Sequence, residues 1–404
     1  MNDEAAISER GTAGEVFRVF LKLGLTSFGG PIAHLGYFRT EFVERRRWFD
    51  DVSFADLVAL CQFLPGPASS QVGFAIGLRR AGTWGAIAAF VAFTLPSAAL
   101  MVAFAYGASL FAGPWGGGVI DGLKIVAVAI VAQAVWGMAR TLTPDRPRAG
   151  IAVVALAIAL LFTGSGGQVA AILVGAIGGV LLCRGEPAGE GTLIAFPVRT
   201  GVGITALVVF VGALIALPVV AASTGNGTAS LVDAFYRAGA LVFGGGHVVL
   251  PLLETGVVQP GWVSESQFLA GYGVAQAMPG PLFTFAGYLG ALSSTGPGGV
   301  IGAVVALIAV FLPGMLLLVG VLPFWNTLRR RQWAGGLMRG ASAAVVGILA
   351  AALYMPLFTS SVVDRASFTL AVVCFVLLTS FRLPPWLVVL VGAGGGVVIT
   401  AMAA

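Results

Sequence analysis

Gln62-Phe63-Leu64-Pro65-Gly66-Pro67 returns 214 residues later as Gln276-Ala277-Met278-Pro279-Gly280-Pro281. Upstream of these runs, Gly24 and Phe28-Gly29-Gly30 return as Gly239 and Phe243-Gly244-Gly245 at an offset of 215, whereas Trp48 and Phe54 return as Trp262 and Phe268 at 214. One residue has been lost between the two sets. In an apolar chain, a tandem repeat whose helix breakers fall at matching places is the mark of a transporter built from discontinuous helices.

Composition fixes the class around that repeat. Of 404 residues, 58% are hydrophobic and 10% charged, where a soluble domain carries about 25% charge. The chain reads as an all-α polytopic membrane protein whose partner is the lipid bilayer. Its 58 glycines suit close helix packing and interrupted helices, and the glycine-rich faces would permit a homodimer. The net charge of +5 does not indicate nucleic acid, because the arginines cluster at span ends, as the positive-inside rule requires. Cys61, Cys183 and Cys374 are scattered through apolar runs without ligand spacing, so neither a metal nor a cofactor is expected.

Four segments organise the chain. Residues 1–15 form a polar tail without the basic start and apolar core of a signal peptide. Residues 16–183 form a first membrane repeat, 184–222 a linker with one transmembrane helix, and 223–404 a second repeat. Full spans are expected at Thr83–Tyr106, Val119–Met138, Ala149–Phe162, Gln168–Cys183, Gly201–Ala221, Gly298–Leu322, Leu337–Met355, Ala366–Thr379 and Pro384–Met402.

The duplicated phrases behave differently. Residues 17–44 are interrupted by Gly29-Gly30-Pro31 and residues 53–78 by Pro65-Gly66-Pro67. Each break leaves two arms of about twelve residues, roughly 18 Å, which suits a hairpin that dips to the midplane and returns. Arg39, Arg45-Arg46-Arg47 and Arg79-Arg80 then all lie on one side, the cytoplasm. The corresponding loops of the second half lack arginine; its basic run, Arg329-Arg330-Arg331, comes one span later. The repeats are therefore expected to be inverted, with nine crossings, four re-entrant hairpins, the N-terminus inside and the C-terminus outside a plasma membrane.

Half-helices that begin near the midplane offer unpaired N–H groups and the positive end of a dipole, so the expected ligand is an anion. The candidate binding groups at the breaks are Gly29, Gly30, Gly66, Gly244, Gly245 and Gly280. Beside them stand the hydroxyls Ser69, Ser70 and Thr284, and the amides Gln62 and Gln276. Lys22 and Arg237 are equivalent at an offset of 215 and would attract the anion, and Lys124 and Arg339 match at the same offset. His34 and His247 are candidates for proton coupling, and Glu41 and Glu254 for pathway carboxylates or salt-bridge partners.

With Phe28-Gly29-Gly30-Pro31, Arg45-Arg46-Arg47-Trp48-Phe49, the Gln62–Pro67 run, Phe243–His247 and Ala277–Pro281, the chain resembles the chromate ion transporter family in its long, two-domain form. The resemblance implies a plasma-membrane carrier that exports chromate and confers chromate resistance, with sulfate as a structural analogue. The rival readings are an uptake or exchange carrier for sulfate or another oxyanion, a channel, and an integral-membrane enzyme. No phosphate-binding loop, H-E-x-x-H or G-x-S-x-G is present, which disfavours ATP-driven pumping and catalysis, and no catalytic residue is assigned.

Overall fold

The computed structural model describes residues 11–107, 114–162, 164–183, 196–243, 248–328 and 331–403. In the first half, α1 (Ala13–Thr26), α2 (Gly30–Arg39) and α3 (Asp51–Phe63) precede α4 (Ala68–Gly107), α5 (Pro114–Leu142), α6 (Arg146–Leu161) and α7 (Ser165–Leu182). A single helix, α8 (Thr200–Thr224), joins the halves. The second half repeats the order as α9 (Gly227–Ala240), α10 (Val249–Leu253), α11 (Glu265–Ala277), α12 (Phe285–Leu292) and α13 (Gly299–Val321), then a short α14 (Trp325–Leu328). It ends with α15 (Gln332–Ala352), a short α16 (Thr359–Ser361), α17 (Arg365–Thr379) and α18 (Pro385–Ala403). Among the described residues there is no strand.

The breaks fall where the chain carries glycine and proline. Gly29 and Gly30 have φ of 99° and 77°, Gly66 and Gly280 have 128° and 95°, and only glycine takes such values without strain. Arms start on polar caps: Asp50 accepts from the Ser53 amide before α3, Asn226 from Thr228 and Ala229 before α9, and Ser264 with Gln267 forms a capping box on α11. The Ser53 N–H on Asp50 also holds that carboxyl below the usual carboxylate range. α4 is two helices in sequence, parted at Ala81 and Gly82, where φ reaches −139° and 64°. The part after Gly82 is about 37 Å long.

Both ends of the first pair of hairpins meet at one surface. Gly11 N–H donates to the Arg80 carbonyl at 3.1 Å, Glu15 pairs with Arg80 at 3.2 Å and Arg46 at 3.8 Å, and Arg79 lies over the Phe49 ring at 4.4 Å. Trp48 folds back through a bond from its N–H to the Phe42 carbonyl. The second pair closes in the same way: Trp262 N–H donates to Val257 O, Ser294 N–H to Trp262 O, and Gly227 lies against Gly296. Each pair is packed around its own aromatic core, with Phe20, Phe42 and Trp48 stacked in the first, and in the second Phe285 stacked on Tyr288 and edge-on to Phe268.

The two pairs, which we call modules 1 and 2, open toward opposite ends of the bundle. The ends of module 1 sit at Arg80, beside the Gly82 end of α4, while those of module 2 sit near Gly299, which abuts the Tyr106 hydroxyl at the far end of the same helix. α8 bridges the two levels: Gly203 near its start lies on Gly320 and Pro323, and the Tyr236 hydroxyl donates to Phe210 O further along.

The remaining helices exchange partners between halves. α5 packs on α17 and α18, and α15 packs on α6 and α7. In one crossing Gly118 and Gly122 meet Gly392 and Gly396; in the other Gly336 and Gly340 meet Gly175 and Gly179. Small residues four apart on both helices bring the backbones together. These crossings set the register: Gly118 and Gly122 correspond to Gly336 and Gly340 at an offset of 218, and Gly175 and Gly179 to Gly392 and Gly396 at 217.

Six helical stretches are long and apolar enough to cross a membrane among the described residues: Ala68–Gly107, Gly116–Leu142, Thr200–Thr224, Gly299–Phe324, Gln332–Ser361 and Pro385–Met402. The other three expected spans, α6, α7 and α17, have 16, 18 and 15 residues, or roughly 22–27 Å.

Candidate functional site

The hairpin tips interlock across the two halves. The Gly66 N–H of the first P-G-P turn donates to Val242 O at 2.7 Å, and the Gly280 N–H of the second donates to Ser27 O at 2.9 Å. Ser27 and Val242 are themselves equivalent at an offset of 215, so one bond is the symmetry mate of the other. Each turn also rests on a proline-containing helix of the opposite half: Gly66 lies against Gly314, next to Pro313 of α13, and Gly280 against Ser97, next to Pro96 of α4. Ser97 is 14 residues, about 21 Å, beyond the Thr83 end of its helix, which sets the interlock near mid-height.

His34 ties the first half of this junction together. Its Nε2 lies 3.2 Å from Ser27 O and its Nδ1 3.3 Å from Ser69 Oγ. A carbonyl only accepts, so Nε2 carries the proton; in the neutral ring Nδ1 then accepts from the Ser69 hydroxyl. The ring stands edge-on to Phe93 at 5.3 Å. Gln71 closes the other side: its Nε2 donates to Pro65 O at 3.1 Å and to Gly314 O at 2.9 Å, spanning both halves.

The junction is polar on one side only. Around it the hydroxyls of Ser27, Ser70 and Thr94 and the Gln71 Oε1 are buried without a hydrogen-bond partner among the described residues, an arrangement native interiors rarely tolerate without a ligand or water. The first helical bond of α4 runs from Gln71 N–H to Pro67 O, so the amides of Ala68, Ser69 and Ser70 precede the ladder and face the break. In the second half Thr284 satisfies itself: its N–H and its hydroxyl both reach Pro281 O, at 3.1 and 2.7 Å. Ser27, His34, Gln71 and Thr94 correspond there to Val242, Val249, Phe285 and Phe311. Donors without charge, at the start of a half-helix, are suited to a tetrahedral oxyanion.

Of the residues expected from the sequence, Gly66, Ser69, Ser70, Gly280 and Thr284 are brought together and buried, and Gly29 and Gly30 form the adjoining turn. Gln62 is exposed and Gln276 half-buried, each on the arm leading to its turn. Gly244, Gly245 and His247 lie outside the described residues.

The four cations are not at the junction. Lys22 projects from the exposed face of α1, one and a half turns before the break. Arg237 is ion-paired with Asp233 on α9, in the wall of a cavity of about 380 Å³ shared with Gln168, Ser230, Thr255 and Trp262. Lys124 pairs with Asp121 at 2.9 Å, and Arg339 donates twice to Cys183 O, at 3.1 and 2.6 Å, capping the end of α7. The glycine register also corrects the expected equivalence: at 218 the partner of Arg339 is Asp121, not Lys124. Glu41 is held by Arg45 at 3.2 Å and Arg46 at 2.6 Å, and Glu254 accepts from the Thr255 hydroxyl at 3.5 Å; both lie at hairpin ends, away from the tips.

Sequence reasoning passed over Ser27, Gln71, Thr94, Ser97 and Gly314. The signal for three of them was a second repeated phrase: Thr94-Leu95-Pro96-Ser97 recurs as Phe311-Leu312-Pro313-Gly314 at an offset of 217. For Gln71 it was a polar residue one turn into a returning half-helix.

The family model for the chromate transporter matches residues 14–181 and again 229–397. A probable chromate transport protein of Synechococcus elongatus is 30% identical over 394 residues, 95% of each chain. A chromate transport protein of Pseudomonas aeruginosa is 30% identical over 83% of this chain and 79% of its own. One from Cupriavidus metallidurans is 29% identical over 92% and 89%. No solved structure matches. Two matches of one family model, each over a half that repeats the same broken helices, leave a single assignment: the chain belongs to the chromate transporter family.

Proposed function

We propose that this chain is a secondary active carrier that exports chromate across the plasma membrane, with its N-terminus in the cytoplasm and its C-terminus outside. The observation that carries the reading is the reciprocal pair of bonds, Gly66 to Val242 and Gly280 to Ser27. It gives the protein two related tips at one level, each reached from a different end of the bundle. Exchanging the shapes of the two modules then exposes that level to one face or the other, which is alternating access.

The anion is held at the interlock by the Gly29-Gly30 turn, the amides that open α4, and the hydroxyls of Ser27 and Ser70, joined by those of Ser69 and Thr284 once they turn from His34 and Pro281 O. A dianion of chromate or sulfate accepts from such donors without a fixed cation beside it. Lys22 and Arg237 serve the approach from either side, Arg237 from the cavity it shares with Asp233 and Gln168. The cytoplasmic assignment of the module 1 face rests on its arginines, Arg39, Arg45, Arg46, Arg47, Arg79 and Arg80.

Chromate and sulfate accumulation in everted vesicles, with and without an imposed pH gradient, tests the reading. Export predicts gradient-dependent chromate accumulation inside everted vesicles, reduced by excess sulfate. Accumulation only in right-side-out vesicles would instead identify an uptake carrier, and no chromate flux in either would refute the proposal.

A further inference from the structure

The two modules share a fold, but only one is docked on the bundle of α5, α7, α15 and α18. In module 2, α11 packs on α5 and α18, and α10 packs on α15. The contact is close: a Cβ at Gly273 would lie 2.7 Å from the Leu123 carbonyl oxygen. The partner exchange between halves makes α15 and α7 the counterparts of α5 and α18. Symmetry therefore calls for α3 on α15 and α7. Among the described residues, α1, α2 and α3 pack chiefly on one another and on α4, with Phe63 of α3 edge-on to Trp325 of α14 at 5.4 Å, and none of them packs extensively on α15 or α7.

The side chains record the same difference. Ala55, Ala59 and Gln62 form one stripe of α3 and are exposed, while their counterparts Leu269 and Gly273 are buried and Gln276 is half-buried. The stripe that seals module 2 to the rest of the protein thus lies uncovered in module 1, and it ends at the P-G-P turn.

We infer that this uncovered side of module 1 is the substrate cleft of the present state, open toward the Glu15–Arg46–Arg80 surface, and that Gln62 is the amide that contacts the oxyanion on its way to the interlock. In the opposite state α3 closes on α15 and α7, α11 leaves α5 and α18, and Gln276 takes the role of Gln62. The inference rests on the oxyanion-carrier reading for the identity of the ligand, and on geometry alone for the cleft.

Ala55→Cys, Gln62→Cys, Leu269→Cys and Gln276→Cys, each in a background with Cys61→Ala, Cys183→Ala and Cys374→Ala, are labelled with a membrane-impermeant maleimide in inside-out and right-side-out vesicles. Sulfate is the protecting ligand, because chromate oxidises thiols. In inside-out vesicles, Ala55→Cys and Gln62→Cys are expected to react at least about ten times faster than Leu269→Cys and Gln276→Cys, and sulfate is expected to slow Gln62→Cys. Equal rates across the equivalent pairs, or no reaction at positions 55 and 62 because they face lipid, overturns the cleft. Rapid labelling that sulfate leaves unchanged overturns the contact at Gln62 while the cleft stands. The oxyanion reading itself fails separately, by absence of chromate flux.

Discussion

Gly66→Ala is the substitution that presses hardest on the interlock. At φ of 128° an alanine carries backbone strain of about 1–3 kcal/mol. Its Cβ would stand 3.0 Å from the Gly314 Cα and 2.8 Å from the Gln71 Nε2. The glycine is backbone and cannot turn aside, so overpacking adds about 1–3 kcal/mol. The sum is about 2–6 kcal/mol. Gly280→Ala has φ of 95° and meets Ser97 Oγ at 2.8 Å, a hydroxyl that can rotate away, so its cost falls at the lower end. Gly14→Ala meets nothing and is expected to stay within about 0.5 kcal/mol of the parent. Unfolding in mixed detergent micelles, read by tryptophan fluorescence, ranks the three, and chromate flux in vesicles reports whether the tips still work. The expected order of loss is Gly66→Ala, then Gly280→Ala, with Gly14→Ala unchanged in both assays. If Gly66→Ala unfolds and transports like Gly14→Ala, the tips do not meet as described.

Three further outcomes follow from particular contacts. His34→Gln is expected to weaken folding by about 1–3 kcal/mol through the Ser27 and Ser69 bonds and to leave the pH dependence of flux in place; a flux that no longer responds to pH would make His34 a coupling group. Asp50→Ala loses the cap on α3, at about 1 kcal/mol near neutral pH. Because the Ser53 N–H lowers the Asp50 pKa in the folded protein, that stability is present above the unfolded carboxylate range and disappears as pH falls through the folded value. The parent and the variant should therefore converge in acid unfolding, and a difference that persists in strong acid contradicts the capping role. Arg339→Ala is expected to loosen the end of α7 without lowering chromate flux, since it binds Cys183 O; loss of flux at full expression would return it to the pathway.

The breaks were legible because glycine and proline act locally: Gly29-Gly30 and both P-G-P turns bend the chain wherever they stand. The repeat was legible for the same reason, since its landmarks are breakers and aromatic anchors. What pairs with what was less legible. Lys22, Lys124 and Arg339 looked alike as cations in apolar runs, yet one is exposed, one pairs with Asp121 and one caps a helix. A single offset of 215 could not place Arg339, because the register drifts to 218 by the glycine crossings. Gln71 escaped notice because its partner, Gly314 O, lies 243 residues away in the other half. The difference between α3 and α11 is of another kind. Equivalent segments hold two conformations of one module, and no property of either segment says which is docked.

The opposite facing of the modules is tested most directly by labelling Asp51→Cys and Ser294→Cys with an impermeant thiol reagent on sealed vesicles of known orientation. Both side chains are exposed, one at the end of each module. Asp51→Cys is expected to react only from the cytoplasmic side and Ser294→Cys only from the outside. Reaction of both from the same side would contradict the inverted arrangement on which the carrier rests.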